Sequence, residues 1–119
     1  MKLELKHIAP YLTHRLEVLV FGTVCEVEGV DLHRKNTLIA ERVNYSLDDT
    51  KPILYPFEDY IHFNEVIDEM SDFQMTMIDD NPDLVKKLSY DVIEKMLKNN
   101  IDIFGLIHAG LAIDINSLK

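Results

Sequence analysis

The sequence predicts an α+β fold: an antiparallel sheet of three to five strands, with one main helix at about 82–98 packed on one face and a last strand at the C-terminus. Three observations lead there. Through residues 16–29 apolar and polar side chains alternate with a period of two, as in half-buried strands. Val85, Leu88, Val92 and Met96 recur at helical spacing. Near the chain end Leu111, Ile113 and Ile115 alternate with Ala112, Asp114 and Asn116. At 119 residues the chain has the length of a single domain, taken as 1–119, and can bury roughly two-thirds of its unfolded surface.

Taken in order, LELKHIAPYL (3–12) reads as a short strand or a turn of helix stopped near Pro10. In RLEVLVFG, Leu16, Val18 and Val20 take one face of a first strand. Gly22-Thr23 signals a turn, and VCEVEG makes a second strand with Cys25 and Val27 on one face. GVDLHRKN is a polar hairpin connection. TLIAERVNYSL reads as one third strand, with Ile39, Val43, Tyr45 and Leu47 on one face and Glu41 interrupting it. Short connections between the three imply an antiparallel meander.

In DDTKPILYPFEDY, Pro52 and Pro56 exclude a central strand or a helix interior, so an extended surface segment is expected. Two readings stay open between 57 and 80. One is a helix from about 58 to 70. The other is a strand around 73–78, where Phe73, Met75 and Met77 alternate with Gln74 and Thr76. The main helix follows: Asn81 can cap it, Pro82 suits its first position, and Asp83 suits its first turn. Lys95 and Lys98 fall in its last turn and Asn99-Asn100 ends it; the sheet is its expected packing partner. IDIFGLIHAG reads as a short helix or turn closed by Gly110. The tripeptide Ile-Asp-Ile occurs at 101–103 and 113–115, but on different elements, so it is not a structural repeat.

Composition narrows the function classes. The net charge of −9 argues against direct nucleic-acid binding and against an anionic membrane surface. One cysteine, Cys25, forms no internal disulfide, in keeping with a reducing compartment. No apolar run follows a basic start, and no run of uncharged apolar residues is long enough to span a bilayer. A cytoplasmic setting without membrane contact is the expectation.

Motifs for chemistry are sparse. His7, His14, His33, His62 and His108 are scattered, with no pair at ligating spacing beside an acid, and read as ordinary polar histidines. Asp79, Asn81 and Asp83 alternate like the start of a calcium loop. The loop's glycine and its last glutamate positions hold Leu84 and Tyr90, so capping is the better reading. Cys25 lies among valines and acids, which disfavour its thiolate. No phosphate-cradling glycine loop or nucleophile elbow occurs. Nothing asks for a metal or another cofactor, and no catalytic residue stands out.

Charge placement is the clearest signal. Residues 56–83 hold nine acids and no Lys or Arg. The plain reading is a solvated face that keeps a small protein soluble. The sharper reading is a surface that attracts a basic protein partner through Glu58, Asp59, Glu65, Asp68, Glu69, Asp72, Asp79 and Asp80. Interleaved Phe57, Tyr60, Ile61, Phe63, Val66, Ile67 and Met70 suit a protein contact.

Lys51-Pro52-Ile53-Leu54, then Phe104 to Ile107 and Gly110 to Asn116, carry a resemblance. With these segments the chain resembles a family of short uncharacterised proteins of gut anaerobic bacteria, often encoded in prophages or other mobile elements. Tyr55 departs from the basic residue expected there, which weakens phosphate binding by this segment. The resemblance implies a bacterial or phage cytoplasm and no particular activity. The leading expectation is a non-enzymatic accessory or protein-interaction module of a mobile element. One alternative is an acidic inhibitor that mimics DNA and blocks a basic DNA-binding host protein; another is a small metal-dependent enzyme.

Overall fold

The computed structural model describes residues 2–12, 14–30 and 37–118, and for Pro82, Asp83 and Lys86 the backbone alone. The fold is α+β: among the described residues a six-stranded, mostly antiparallel open sheet in the order β4 (Val43–Ser46), β3 (Thr37–Ala40), β2 (Thr23–Val30), β1 (Glu17–Val20), β5 (Thr50–Leu54), β6 (Ile113–Asp114), with several short helices. The sheet exceeds the expected three to five strands for two reasons, a hidden hairpin and a proline-containing interior strand.

β1 (Glu17–Val20) and β2 (Thr23–Val30) pair antiparallel, with Val18 opposite Cys25. Their turn, Phe21-Gly22, has φ of 48° and 82°. Positive φ at both central residues matches the right-handed twist of the flanking strands. β2 pairs β1 along its first half and β3 (Thr37–Ala40) along its second, with an irregularity between Val27 and Gly29. The polar connection expected at 29–36 lies largely outside the described residues.

The expected single third strand is a hairpin. β3 and β4 (Val43–Ser46) fold back at Glu41-Arg42, with φ of 50° and 65°. Neither residue is a usual turn former. Instead the Arg42 backbone N–H donates to the Glu28 carboxylate at 2.6 Å, which ties the turn to the irregular stretch of β2. The fold-back also rearranges the faces: Val43 and Tyr45 stand opposite Ala40 and Leu38, so Ile39 points the other way.

Residues 50–54 are the second correction. Rather than running along the surface they form β5 (Thr50–Leu54), largely buried between β1 and the parallel β6 (Ile113–Asp114). Pro52 stands opposite Val18, and β6 covers only Ile53 and Leu54. The side of Pro52 away from β1 therefore has no ladder partner, the situation a proline tolerates. The C-terminal strand does join the sheet, shorter than expected and parallel. Just beyond β5, the Tyr55 N–H donates to Asn100 O at 2.8 Å and the Asp102 N–H to Tyr55 O at 2.9 Å, bridging Tyr55 to Ile101. Both Ile-Asp-Ile copies thus dock against residues 53–55, through different elements.

The helices are short. α1 (Leu5–Ile8) runs into a 3-10 turn at Ala9–Tyr11. A 3-10 stretch at Phe57–His62 precedes α2 (Asn64–Glu69) and α3 (Asp72–Asp80), so the strand reading of 73–78 is overturned. A capping box starts α3: the Gln74 N–H donates to Ser71 Oγ, and the Ser71 N–H to Gln74 Oε1. The single helix expected at 82–98 divides into a 3-10 stretch, Pro82–Lys87, and α4, Tyr90–Lys98. Asn81 closes α3, its N–H donating to Met77 O, while Ser89 in extended conformation begins α4. Asn99 caps α4, and Asn100 follows in the left-handed region at φ 56°.

Nor does α4 pack chiefly on the sheet. Its main neighbours are α2 and the Ala9–Tyr11 turn. Val85, Leu88, Val92 and Met96 form a second apolar cluster with Tyr60, Val66, Met70, Ile78 and Ile101. The buried sheet face has its own cover, since Leu3, Ile8, Tyr11, Leu47, Leu106 and Ala112 share a cluster with Val18, Val20, Leu38 and Leu54. Two cores side by side suit a radius of gyration of 14.6 Å, against about 13.5 Å for a compact chain of this length. Tyr11 joins them. Its buried hydroxyl donates to Ile101 O at 2.6 Å and accepts from the Ile103 N–H at 3.2 Å.

Candidate functional site

The acidic stretch becomes three short helical segments, and the eight carboxylates described in it divide into two groups. Three are engaged. Asp59 accepts from Asn116 Nδ2 at 2.9 Å. Glu65 faces the end of α4, 3.4 Å from Lys98 Nζ, with Asn99 Nδ2 at 3.5 Å. These bonds and the lysine charge hold its carboxyl below the usual range. Asp79 accepts from the Tyr60 hydroxyl at 2.8 Å. Burial, with this anion beside it, pushes the Tyr60 phenol up to about 12.

The other five, Glu58, Asp68, Glu69, Asp72 and Asp80, are exposed and make no side-chain bond among the described residues. Asp72 stands in the first turn of α3, where the helix dipole favours it. Asp68 and Glu69 end α2, and Asp79 and Asp80 end α3, with no basic residue in either last turn. A carboxylate there faces the negative end of the helix, and each costs about 0.3–1 kcal/mol. Phe73, 77% exposed, follows Asp72 on α3, and Ile61 is exposed on the preceding 3-10 stretch. The sequence names all eight carboxylates but does not tell the engaged ones from the rest, because their partners Asn116, Tyr60 and Lys98 are 57, 19 and 33 residues away, and it does not single out Phe73.

The other sequence candidates are dispersed. His7 is buried, its Nδ1 accepting from the Glu4 N–H at 3.0 Å and its ring meeting Phe104 edge-on with the centroids 5.6 Å apart. Burial, then the Lys6 charge, lowers its pKa against the opposing pull of Glu4. His62 and His108 are exposed, His14 is half-buried, and His33 lies outside the described residues. Among the described residues no three His, Cys, Asp or Glu side chains come together as a metal site. The calcium-like pattern does not assemble as read, because Asp79 holds Tyr60 and Asn81 closes α3; the Asp83 side chain lies outside the description. Cys25 is buried in the sheet cluster, and burial, then Glu41, raises its thiol pKa.

Asp102 is a buried acid with a clear structural duty. Its two carboxylate oxygens accept from the N–H groups of Leu106 and Ile107, at 2.9 and 2.8 Å, and so anchor the turn that Gly110 closes at φ 78°. A depression of 170 Å³ lies between Leu3, Leu47 and Leu111, with Lys2, Asp48 and Lys51 at its rim. It is smaller than the roughly 300 Å³ at which small-molecule sites begin. No helix among the described residues is long and apolar enough to cross a membrane. No family model, curated protein or solved structure matches the chain.

Proposed function

We propose that the chain is a non-enzymatic interaction module, an accessory of a phage or other mobile element, that receives a basic protein partner on the helical face of residues 58–80. One observation carries the reading: Asp68-Glu69 and Asp79-Asp80 occupy the last turns of α2 and α3, where lysine would serve both solubility and stability. Locally unfavourable residues kept on a surface point to a task other than folding. Exposed Phe73 among them supplies an apolar anchor, which a merely solvated face has no use for.

The test compares wild type with a variant neutralised at Asp68, Glu69, Asp72 and Asp80. Asp79 and Glu65 are left intact because they hold Tyr60 and Lys98. In affinity capture at about 50 and 500 mM salt, a basic protein should bind wild type at low salt and be lost at high salt and with the variant. Equal capture of the same protein by the variant refutes the proposal, as does the absence of any partner. If wild type but not the variant also blocks DNA binding by the captured protein, the acidic face is standing in for phosphates.

A further inference from the structure

We infer that residues 57–99 open as one cooperative unit from a sheet that stays folded, so that the acidic face forms and dissolves as a whole. The second apolar cluster carries the inference. Among the described residues it is drawn wholly from positions 55–103, with Tyr55, Ile101 and Ile103 as its seat. Of the described apolar side chains in 57–99, only Leu97 packs against the sheet cluster. A contiguous stretch that closes its own core is the kind of unit that opens sub-globally.

The two ends of the unit leave the sheet side by side, pinned by the Tyr55 N–H on Asn100 O and the Asp102 N–H on Tyr55 O. What the sheet needs lies outside them. β5 keeps β1 and β6, and Asp102 keeps the N–H groups of Leu106 and Ile107. The Tyr11 hydroxyl, on Ile101 and Ile103, and Asn100 Nδ2, on Arg15 O at 2.9 Å, also hold residues beyond the ends. Of the described side-chain hydrogen bonds, one joins 57–99 to the rest of the chain, the exposed bond from Asn116 to Asp59. A released segment with pinned ends is a closed loop, whose entropic cost grows only slowly with length.

This unit gives way before the sheet because its parts cannot stand alone. α2, α3 and α4 have 6, 9 and 9 residues, below the roughly 12–15 at which an isolated helix is even marginal in water. Once the second cluster parts, the three are lost together. The acids at the ends of α2 and α3 weaken the unit further. The free carboxylates Glu58, Asp68, Glu69, Asp72 and Asp80 all sit on it. A basic partner landing there would hold it closed by mass action. That consequence rests on the function proposed above; the opening itself does not.

Amide hydrogen exchange of the whole chain, read by NMR in urea below the unfolding transition, tests the inference. In wild type the amides of α2, α3 and α4 should converge on one opening and exchange about tenfold or more faster than those of β1, β2 and β5. Its urea dependence should be about a third of the sheet's, the unit's share of the chain. Val18 and Val92 are fully buried, one in each cluster. Val18→Ala should quicken the sheet amides about tenfold or more and leave the helical ones unchanged; Val92→Ala should quicken both groups. One rate and one urea dependence for all protected amides overturns the inference, as does a Val18→Ala variant that quickens both groups alike. Should Val18→Ala not fold, the wild-type urea dependences decide. Loss of partner capture leaves these exchange results standing, so the two proposals fail separately.

Discussion

Replacing Tyr11 with Phe removes one oxygen from the junction of the two cores. That oxygen satisfies two backbone groups 90 or more residues away, Ile101 C=O at 2.6 Å and Ile103 N–H at 3.2 Å. The ring itself stays packed against Phe104. The Ile101 carbonyl belongs to a fully buried residue, so losing its donor costs about 1–3 kcal/mol; the partly exposed Ile103 N–H can turn to water, and the total is about 2–3 kcal/mol. An unfolding entropy of about 2.1 cal/mol/K per residue over 119 residues makes each kcal/mol worth about 4 °C, so the melting temperature should fall by about 8–12 °C. Urea unfolding followed by circular dichroism measures the difference directly. The effect also carries a pH signature. Burial raises the Tyr11 phenol well above its ordinary value. The folded state therefore favours the protonated phenol: its stabilisation is complete below the unfolded value near 10 and is lost as pH rises beyond it. The gap between wild type and variant should be flat from about pH 7 to 9 and shrink above about pH 10. A variant within about 0.5 kcal/mol of wild type at neutral pH would refute the idea that this hydroxyl couples the cores.

The remaining predictions concern charge. Burial holds His7 neutral, so stability is complete above the ordinary histidine value of about 6.5 and declines as pH falls from there toward the lowered folded value. His7→Gln should flatten that decline in urea midpoints taken from about pH 5 to 8, and an unchanged slope assigns it to other groups. Asp102→Asn keeps the shape but leaves an amide nitrogen facing a backbone N–H, a loss of about 1–3 kcal/mol. Wild-type stability in that variant would mean that the Gly110 closure alone holds the turn. Glu69→Lys and Asp80→Lys should each raise stability by about a few tenths of a kcal/mol at low salt while weakening capture of a basic partner. Destabilisation by either would show that the carboxylate serves the fold.

The parts of this fold that could be read beforehand are those where one local rule acts alone. β1 and β2 alternate cleanly, because one face is buried and the other exposed along most of their length. The turn at Glu41-Arg42 gave no warning: both residues take positive φ without Gly or Asn, and a carboxylate 14 positions away holds the Arg42 amide. Pro52 argued against an interior strand because its tolerance depends on β6 stopping at Ile53, a fact of tertiary structure. In α3 a signal was present and outweighed. Ser71 and Gln74 have capping-box spacing, whereas the alternation of Phe73, Met75 and Met77 was accidental; α3 buries Ile78 and leaves Phe73 in solvent. The break before α4 was likewise marked by Ser89, obscured by an apolar stripe that continues through it from Val85 to Met96. For the acidic face, composition named the carboxylates, but which were engaged depended on contacts across the fold.

α4 provides an internal control for the meaning of that face. It places Asp91 in its first turn and Lys95 and Lys98 in its last, as the helix dipole favours. α2 and α3 follow the same rule at their starts, with Glu65 and Asp72, and break it at their ends, with Asp68-Glu69 and Asp79-Asp80. Solubility does not distinguish the two patterns, since lysine at those ends would keep the surface as polar. One of the four is accounted for, because Asp79 holds Tyr60. Asp68, Glu69 and Asp80 have no such duty among the described residues. Their cost is local, and the proposed partner is what would offset it. A cationic surface meeting this face would supply the compensating gain, and salt would weaken both the attraction and the internal penalty.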